Sequence, residues 1–262
     1  VQSVSNSKKN KSLTKRKFLQ GTINIVKFNW HFYLFAALFI VGLVVLKSSL
    51  SIQVKPFVSA IFWITLIVIV NSLLVSLYVY DISNLYKFEW ITNLNEKNIL
   101  NVNAGFDETS ELLKARFPNA KLIICDFYNP QQHTEVSIKM ARKFYPPVAG
   151  TIQISTNELP IANNFFDCTI AVFSVHEIRD EQERFQFFKE LSRVTKPTGK
   201  IFVTEHLRDT YNFIAYTIGF FHFYSIKVWN KTFEQANLEV IDTIKTTPFV
   251  TTFVLKKNAT SS

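Results

Sequence analysis

The run Ile99-Leu100-Asn101-Val102-Asn103-Ala104-Gly105, with Leu122-Ile123-Ile124-Cys125-Asp126 after it, decides the fold. Each is a short apolar segment that ends in a glycine or an acid, and residues 108–117 between them have the length and spacing of one helix. The alternation then repeats. Residues 121–126 read as a strand, and 135–144 as a helix with Val136, Met140 and Phe144 on one face. Residues 151–154 and 168–174 read as the next two strands. Residues 180–194 form a helix that opens on a capping-box pattern, Asp180 and Glu183, and buries Phe185, Phe188, Leu191 and Val194. Pro197 and Gly199 end it and launch a strand over 200–204. Short apolar strands joined by helices predict a mainly parallel sheet covered on both faces, an α/β, doubly wound fold.

Downstream, 211–224 reads as a helix that is aromatic on nearly every face, and 232–236 as a short helix. Residues 240–245 and 249–255 are strand-like runs about a turn at Pro248, which predicts a closing antiparallel hairpin. Upstream the pattern is different. Residues 32–46 and 57–80 are almost unbroken apolar runs, whereas a helix needs roughly 20 residues to cross a bilayer. The second run spans comfortably. The first does so with Trp30 and His31 at an interface and Lys47 snorkelling outward. A cleaved signal peptide is the alternative for the first run, but a second span follows closely and no clean small-residue cleavage pattern separates them, so a transmembrane hairpin is preferred. Lys8, Lys9, Lys11, Lys15, Arg16, Lys17 and Lys27 precede the first span, against Lys47 and Lys55 between the spans, which predicts that the N-terminus and the domain after the hairpin both face the cytoplasm.

The chain has 262 residues, a net charge of +9, 26 Phe, six Gly and two Cys, room for one ordinary domain with added segments. Cys125 and Cys168 lie inside apolar runs and read as buried thiols, and no metal is expected. The basic cluster abuts a span, where each Lys or Arg near anionic lipid gains about 1 kcal/mol. A membrane partner therefore accounts for the charge, and no nucleic-acid signature is present. The expected organisation is a basic cytoplasmic tail at 1–28 whose first part is disordered, the hairpin at 29–80, a linker at 81–97, a Rossmann-like domain at 98–258 and a tail at 259–262.

Five stretches together resemble a class I S-adenosylmethionine-dependent methyltransferase of the small-molecule or lipid type. They are the 99–105 run, the acid Asp126, Glu158-Leu159-Pro160 followed by Phe166-Asp167, Phe173-Ser174-Val175-His176-Glu177, and Glu190-Leu191-Ser192-Arg193-Val194-Thr195-Lys196-Pro197-Thr198-Gly199. The resemblance covers about 98–255, and Trp229 to Leu238 resembles the short helix before that family's sixth strand. It implies a seven-stranded sheet, S-adenosylmethionine as cofactor, and a cofactor site at Asn101, Asn103, Ala104, Gly105, Asp126, Phe127, Ser155, Thr156 and Phe173. A ligand of an open α/β sheet lies outside the carboxyl ends of the strands, which brings these positions to one crevice. Asp126, about twenty residues past the first turn, suits ribose hydroxyls, with Phe127 on an adenine face; the alternative is that Asp126 only caps its loop.

The chain departs from the family where an acid and three glycines are usual, since it has Asn101, Asn103, Gly105 and Asp107. Ser155 stands where an acid is often found. Asn103 tolerates left-handed angles, but Asn101 carries no charge for the cofactor's amino group. The expected activity is direct methyl transfer to a small hydrophobic or lipid-like acceptor, with His176 and Glu177 as candidate catalytic residues. His176 either removes a proton or only shapes the pocket. The competing expectation is a catalytically degenerate methyltransferase-like binding or scaffold module at the membrane. A nicotinamide-binding domain would need a Gly-x-Gly-x-x-Gly turn that the chain lacks.

Overall fold

Successive residues of a strand point to opposite faces of its sheet, and here both sets are apolar, so the sheet is covered twice. The computed structural model describes residues 16–258. Lys8, Lys9, Lys11 and Lys15, with the first part of the tail expected at 1–28 and the tail expected at 259–262, lie outside the described residues, and the rest of the N-terminal tail holds a helix.

The central strand β1 (Asn98–Asn103) pairs in parallel with β2 (Lys121–Asp126) and β4 (Phe166–Val172). β3 (Ile152–Gln153) extends β2, and β5 (Thr195–His206) extends β4, again in parallel. The antiparallel hairpin of β6 (Leu238–Thr247) and β7 (Val250–Lys257) closes the sheet through β7 against β5. The order is β3-β2-β1-β4-β5-β7-β6. Strand order reverses at β1, so the crevice between the ends of β1 and β4 is the natural ligand position.

On one face Leu100, Val102 and Ile201 pack beneath Phe187, Phe188 and Leu191 of α6 (Glu181–Val194) and Trp229 and Phe233 of α8 (Ile226–Gln235). Asp180 caps α6 by accepting from the Glu183 N–H at 2.7 Å, as expected. The buried stripe runs through Phe187 rather than Phe185, because three phenylalanines within four positions leave the phase of the helix to its packing. On the other face Ile99, Cys168, Ile170 and Phe202 pack under Phe88, Ile91 and Leu94 and under Leu113 and Phe117, the last two from α4 (Ser110–Arg116) and its C-terminal cap. The segment read as a linker is thus a cover for the sheet. Both cysteines are free and buried, and burial pushes the Cys125 thiol up to about 12.

Other sequence expectations shift. α5 (Val136–Phe144) buries Ile138 and Ala141, while Val136 and Phe144 are exposed. β5 starts at Thr195, directly after α6, with Pro197 and Gly199 inside it, and a register irregularity opposite Phe166 to Cys168 absorbs the proline. The aromatic stretch is not one helix. α7 (Thr210–Tyr216) stops at Thr217, whose φ of 45° breaks the α-helix, and a 3-10 segment continues over Thr217–His222.

Before the sheet lie α1 (Gln20–Phe28), α2 (Trp30–Ser49) and α3 (Lys55–Leu77), the last running on through a π-helical turn, Tyr78–Ile82. α2 and α3 are long and apolar enough to cross a membrane. α1 was not foreseen. Its first N–H groups, of Gly21 and Thr22, each donate at 2.8 Å to the carboxylate of Asp81, which suits the positive end of a helix. A Cβ on Gly21 would lie 2.3 Å from the Tyr80 Cβ, so this close approach requires glycine.

Candidate active site

Asn101 and Asn103 are buried at the end of β1. The Asn101 amide donates to the hydroxyls of Thr109 and Ser110, both at 2.8 Å, which ties the strand to the start of α4. Its Oδ1 has no partner. The Asn103 Oδ1 accepts from the Gly105 N–H at 3.0 Å, which holds the turn, and Gly105 takes φ +90°, a left-handed angle that glycine adopts freely. Asp107 accepts the Thr109 and Ser110 N–H groups on Oδ1 at 3.0 and 2.9 Å, while its Oδ2 is buried without a partner. The turn thus holds two orphan acceptors, the Asn101 amide oxygen and a carboxylate oxygen of Asp107.

At the end of β2, Asp126 is fully buried; its carboxylate accepts the Tyr128 N–H at 2.8 Å and pairs with Arg142 of α5. Phe127 points away from the crevice into the core, 4.9 Å from Phe187. Tyr128 lies against Gly105 instead, its ring and Cβ 2.8–3.0 Å from where a Cβ on that glycine would stand. Tyr128, one residue along, therefore stands where Phe127 was expected, because Asp126 and Phe127 take the inward positions. Ser155 is exposed, and Thr156 is buried and donates to Glu183 of α6 at 2.6 Å.

The end of β4 carries a denser polar group. His176 Nδ1 lies 2.6 Å from Glu205 of β5, and its Nε2 lies 3.4 Å from Glu177. Burial disfavours the charged ring, but Glu205 and Glu177 outweigh it and raise His176 to about 10. A ring so held favours its charged form, which weighs toward shaping the pocket over proton removal, the two roles expected of it. Glu177 is lowered, with His176 overcoming its burial.

His206, at the end of β5, is stacked between Phe173 and Phe223, with ring centroids 4.9 Å away on each side. Its Nδ1 donates to the Phe249 carbonyl at 2.9 Å and its Nε2 accepts from the Tyr80 hydroxyl at 2.7 Å, which fixes a neutral tautomer. Phe173 therefore packs on a histidine rather than standing free for a cofactor. Burial lowers His206 to about 4, with His176 and His222 adding to the shift and Phe249 and Asn212 opposing it. An unfolded histidine titrates near 6.5, so the unfolded chain alone binds this proton between those values. The stability from neutral His206 is complete above pH about 6.5 and falls as pH drops toward 4, by about 3 kcal/mol in all. His133, also lowered by burial, acts in the same direction. The thermal midpoint in detergent is expected to fall between pH 7 and 5, with a shallower slope in His206→Gln; an equal slope in the variant would contradict this.

The structure brings Asn101, Asn103, Ala104, Gly105 and Asp126 together at the ends of β1 and β2 and sets His176 and Glu177 after β4; Glu205, His222, Tyr128 and Arg142 beside them were not anticipated. Glu205 could have been found as an acid that ends an apolar strand. Tyr128 and Arg142 had no signal beyond their nearness to Asp126.

The family profile described as a methyltransferase domain matches residues 100–203. This span holds the glycine turn, Asp126, and β4 with the start of β5, and the sheet order agrees with it. Over residues 100–203 the chain is similar to a methyltransferase domain. Among curated relatives, the ubiquinone/menaquinone biosynthesis C-methyltransferase of Haemophilus ducreyi is 29% identical over 72 residues, which is 28% of this chain and 27% of that protein. The match thus spans about a quarter of the relative's length. A methyltransferase from Aquifex aeolicus is 16% identical with a TM-score of 0.44, over 62% of this chain and 84% of that one. One from Methanosarcina mazei is 14% identical with a TM-score of 0.45, over 64% and 94%. In the matched region, the ends of β1 and β4 form the candidate cofactor site.

Proposed function

We propose that the chain is a membrane-anchored S-adenosylmethionine-dependent methyltransferase acting on a small hydrophobic or lipid-like acceptor. The observation that carries the acceptor class is the continuity of α7 and the 3-10 segment with the hairpin. Asn71, in the C-terminal third of α3, donates to the Ile214 carbonyl of α7 at 2.8 Å. Around this contact Phe213, Ile214, Ile218 and Phe221 are all more than half exposed. Exposed apolar surface of this extent marks a membrane or lipophilic ligand. The most apolar stretch of each hairpin helix is almost wholly exposed, which supports membrane helices over core helices of a soluble domain. Arg16, Lys17 and Lys27 before the hairpin, against Lys47 and Lys55 within it, favour a cytoplasmic domain. The relative from Haemophilus, named for ubiquinone and menaquinone biosynthesis, points to the same acceptor class.

The residues fit the cofactor. Orphan acceptors at Asn101 Oδ1 and Asp107 Oδ2 suit an ammonium group, and the Asp126 carboxylate suits paired hydroxyls. Tyr128 and Arg142 fill that space in the present arrangement, and both are partly exposed side chains able to swing aside. When bound, S-adenosylmethionine supplies a methyl group on a sulfonium, which is already a good leaving group. The chain's own residues then have to hold two partners in line and exclude water. Asp107 and Asp126 anchor the donor side; His176 and Glu177 orient the acceptor at the end of β4.

Full-length protein incubated with methyl-labelled S-adenosylmethionine and a membrane lipid extract is expected to place label in the organic phase. Tight cofactor binding with no labelled lipid product would contradict the acceptor class.

A further inference from the structure

We propose that His176, Glu177 and His222 bind one divalent transition-metal ion. The three residues come from the 3-10 turn Val175–Glu177 after β4 and from the end of the 3-10 segment after α7. Each offers one ligand atom, and the three atoms lie within 4.8 Å of one another. Glu177 Oε1 is 3.4 Å from His176 Nε2 and 3.9 Å from His222 Nε2. These gaps exceed an ordinary hydrogen bond, which spans about 2.7–3.2 Å for nitrogen and oxygen. They approach the separation of about 3.3 Å between ligands that sit about 2.0 Å from a tetrahedral ion.

The other ring nitrogens supply the independent observation. His176 Nδ1 lies 2.6 Å from Glu205, and His222 Nδ1 lies 3.1 Å from Glu135. Both rings are thus backed by a carboxylate on Nδ1; His176 turns Nε2 toward Glu177, and His222 Nε2 lies between Glu177 and the Arg179 guanidinium. That is how metal-ligating histidines are oriented, with the outer N–H given to an acid that fixes the tautomer. Glu205 is almost fully buried, at 1% exposure, and among the described residues pairs with no other cation than the ring it holds. Arg179 closes the outer side, donating to Glu135 at 2.9 Å, and its Nη2 lies 2.5 Å from His222 Nδ1 and 2.9 Å from His222 Nε2, so ion binding at Nε2 requires the guanidinium to turn away from that nitrogen. An ion takes the place of a proton on His176 Nε2 and leaves the bond from Nδ1 to Glu205 intact.

Two imidazoles and one carboxylate select a zinc- or iron-class ion over calcium or magnesium, which prefer oxygen ligands. Three protein ligands leave coordination positions open, the pattern of a catalytic rather than a structural site. The sequence expectation of no metal rested on the cysteines, and the site uses none.

The test is metal content, which does not depend on methyl transfer. Full-length protein in detergent is stripped with chelator and dialysed against Zn2+, and in parallel against Co2+, whose visible absorption reports coordination. One ion per chain is expected, with a dissociation constant at or below micromolar. His222→Ala, in a segment with no buried residues, leaves the core untouched and is expected to weaken binding at least tenfold. Glu205→Gln is expected to weaken it about 10- to 100-fold. Glu239→Gln, at an exposed ion pair with Lys256, should match wild type. Folded wild-type protein that retains no ion, or His222→Ala and Glu177→Gln proteins that bind as wild type does, would overturn the proposal.

Discussion

An Asp126→Ala variant is expected to bind S-adenosylmethionine at least about 100-fold more weakly than wild type and still fold. A hydrogen bond to a charged group contributes about 1.5–3 kcal/mol, and a ribose offers two hydroxyls, so their joint loss exceeds tenfold for each. Folding survives because the partner left behind, Arg142, has a side chain 24% exposed and can relax into water. Loss of a fully buried partner would cost about 3–5 kcal/mol, and this pair loses less. Arg142→Ala separates binding from stability. Arg142 competes with a ligand for the same carboxylate, so its removal is expected to leave affinity unchanged or improve it. Calorimetric titration of both variants checks this, and equal weakening in the two would remove Asp126 from the site.

Gly105→Val is expected to abolish cofactor binding and to lower the stability of the domain by about 1–3 kcal/mol. The backbone at Gly105 has φ +90°, which a β-branched residue does not adopt without strain. Its Cβ would also stand 2.8 Å from the Tyr128 ring, so the tyrosine that covers the crevice would have to move as well. Gly150 also has a positive φ, of 83°, but open space around it. Gly150→Val is therefore expected to carry the backbone strain alone and to leave binding intact. Parallel titration and thermal melts of the two variants distinguish these outcomes.

Much of this fold was legible because β1, β2, β4 and β5 are apolar on both faces, and a run of that kind between helices has few other homes. The Asp180 cap was legible for the same local reason. The cover at 81–97 was missed although Phe88, Ile91 and Leu94 recur every third residue, a helical-turn spacing hidden by the irregular chain around them. α1 was missed because its partners, Asp81, Glu108 and Tyr145, are far away in sequence and its own apolar content is modest. At the site, Gly105 and Asp126 could be read from their place after strands. Tyr128 could not be told from Phe127, since two adjacent aromatics after a strand differ only in which face they meet. The reading of 211–224 as one helix concealed His222. Once the chain breaks at Thr217, that histidine turns back toward His176, and no local pattern announces such a meeting.

The most direct test of methyltransferase function is calorimetric titration of S-adenosylmethionine and of S-adenosylhomocysteine into detergent-purified full-length protein. Saturable binding of one molecule per chain, with the two ligands competing for the same site, is the expected result. No heat of binding with either ligand, in protein shown to be folded by a cooperative melt, would contradict it.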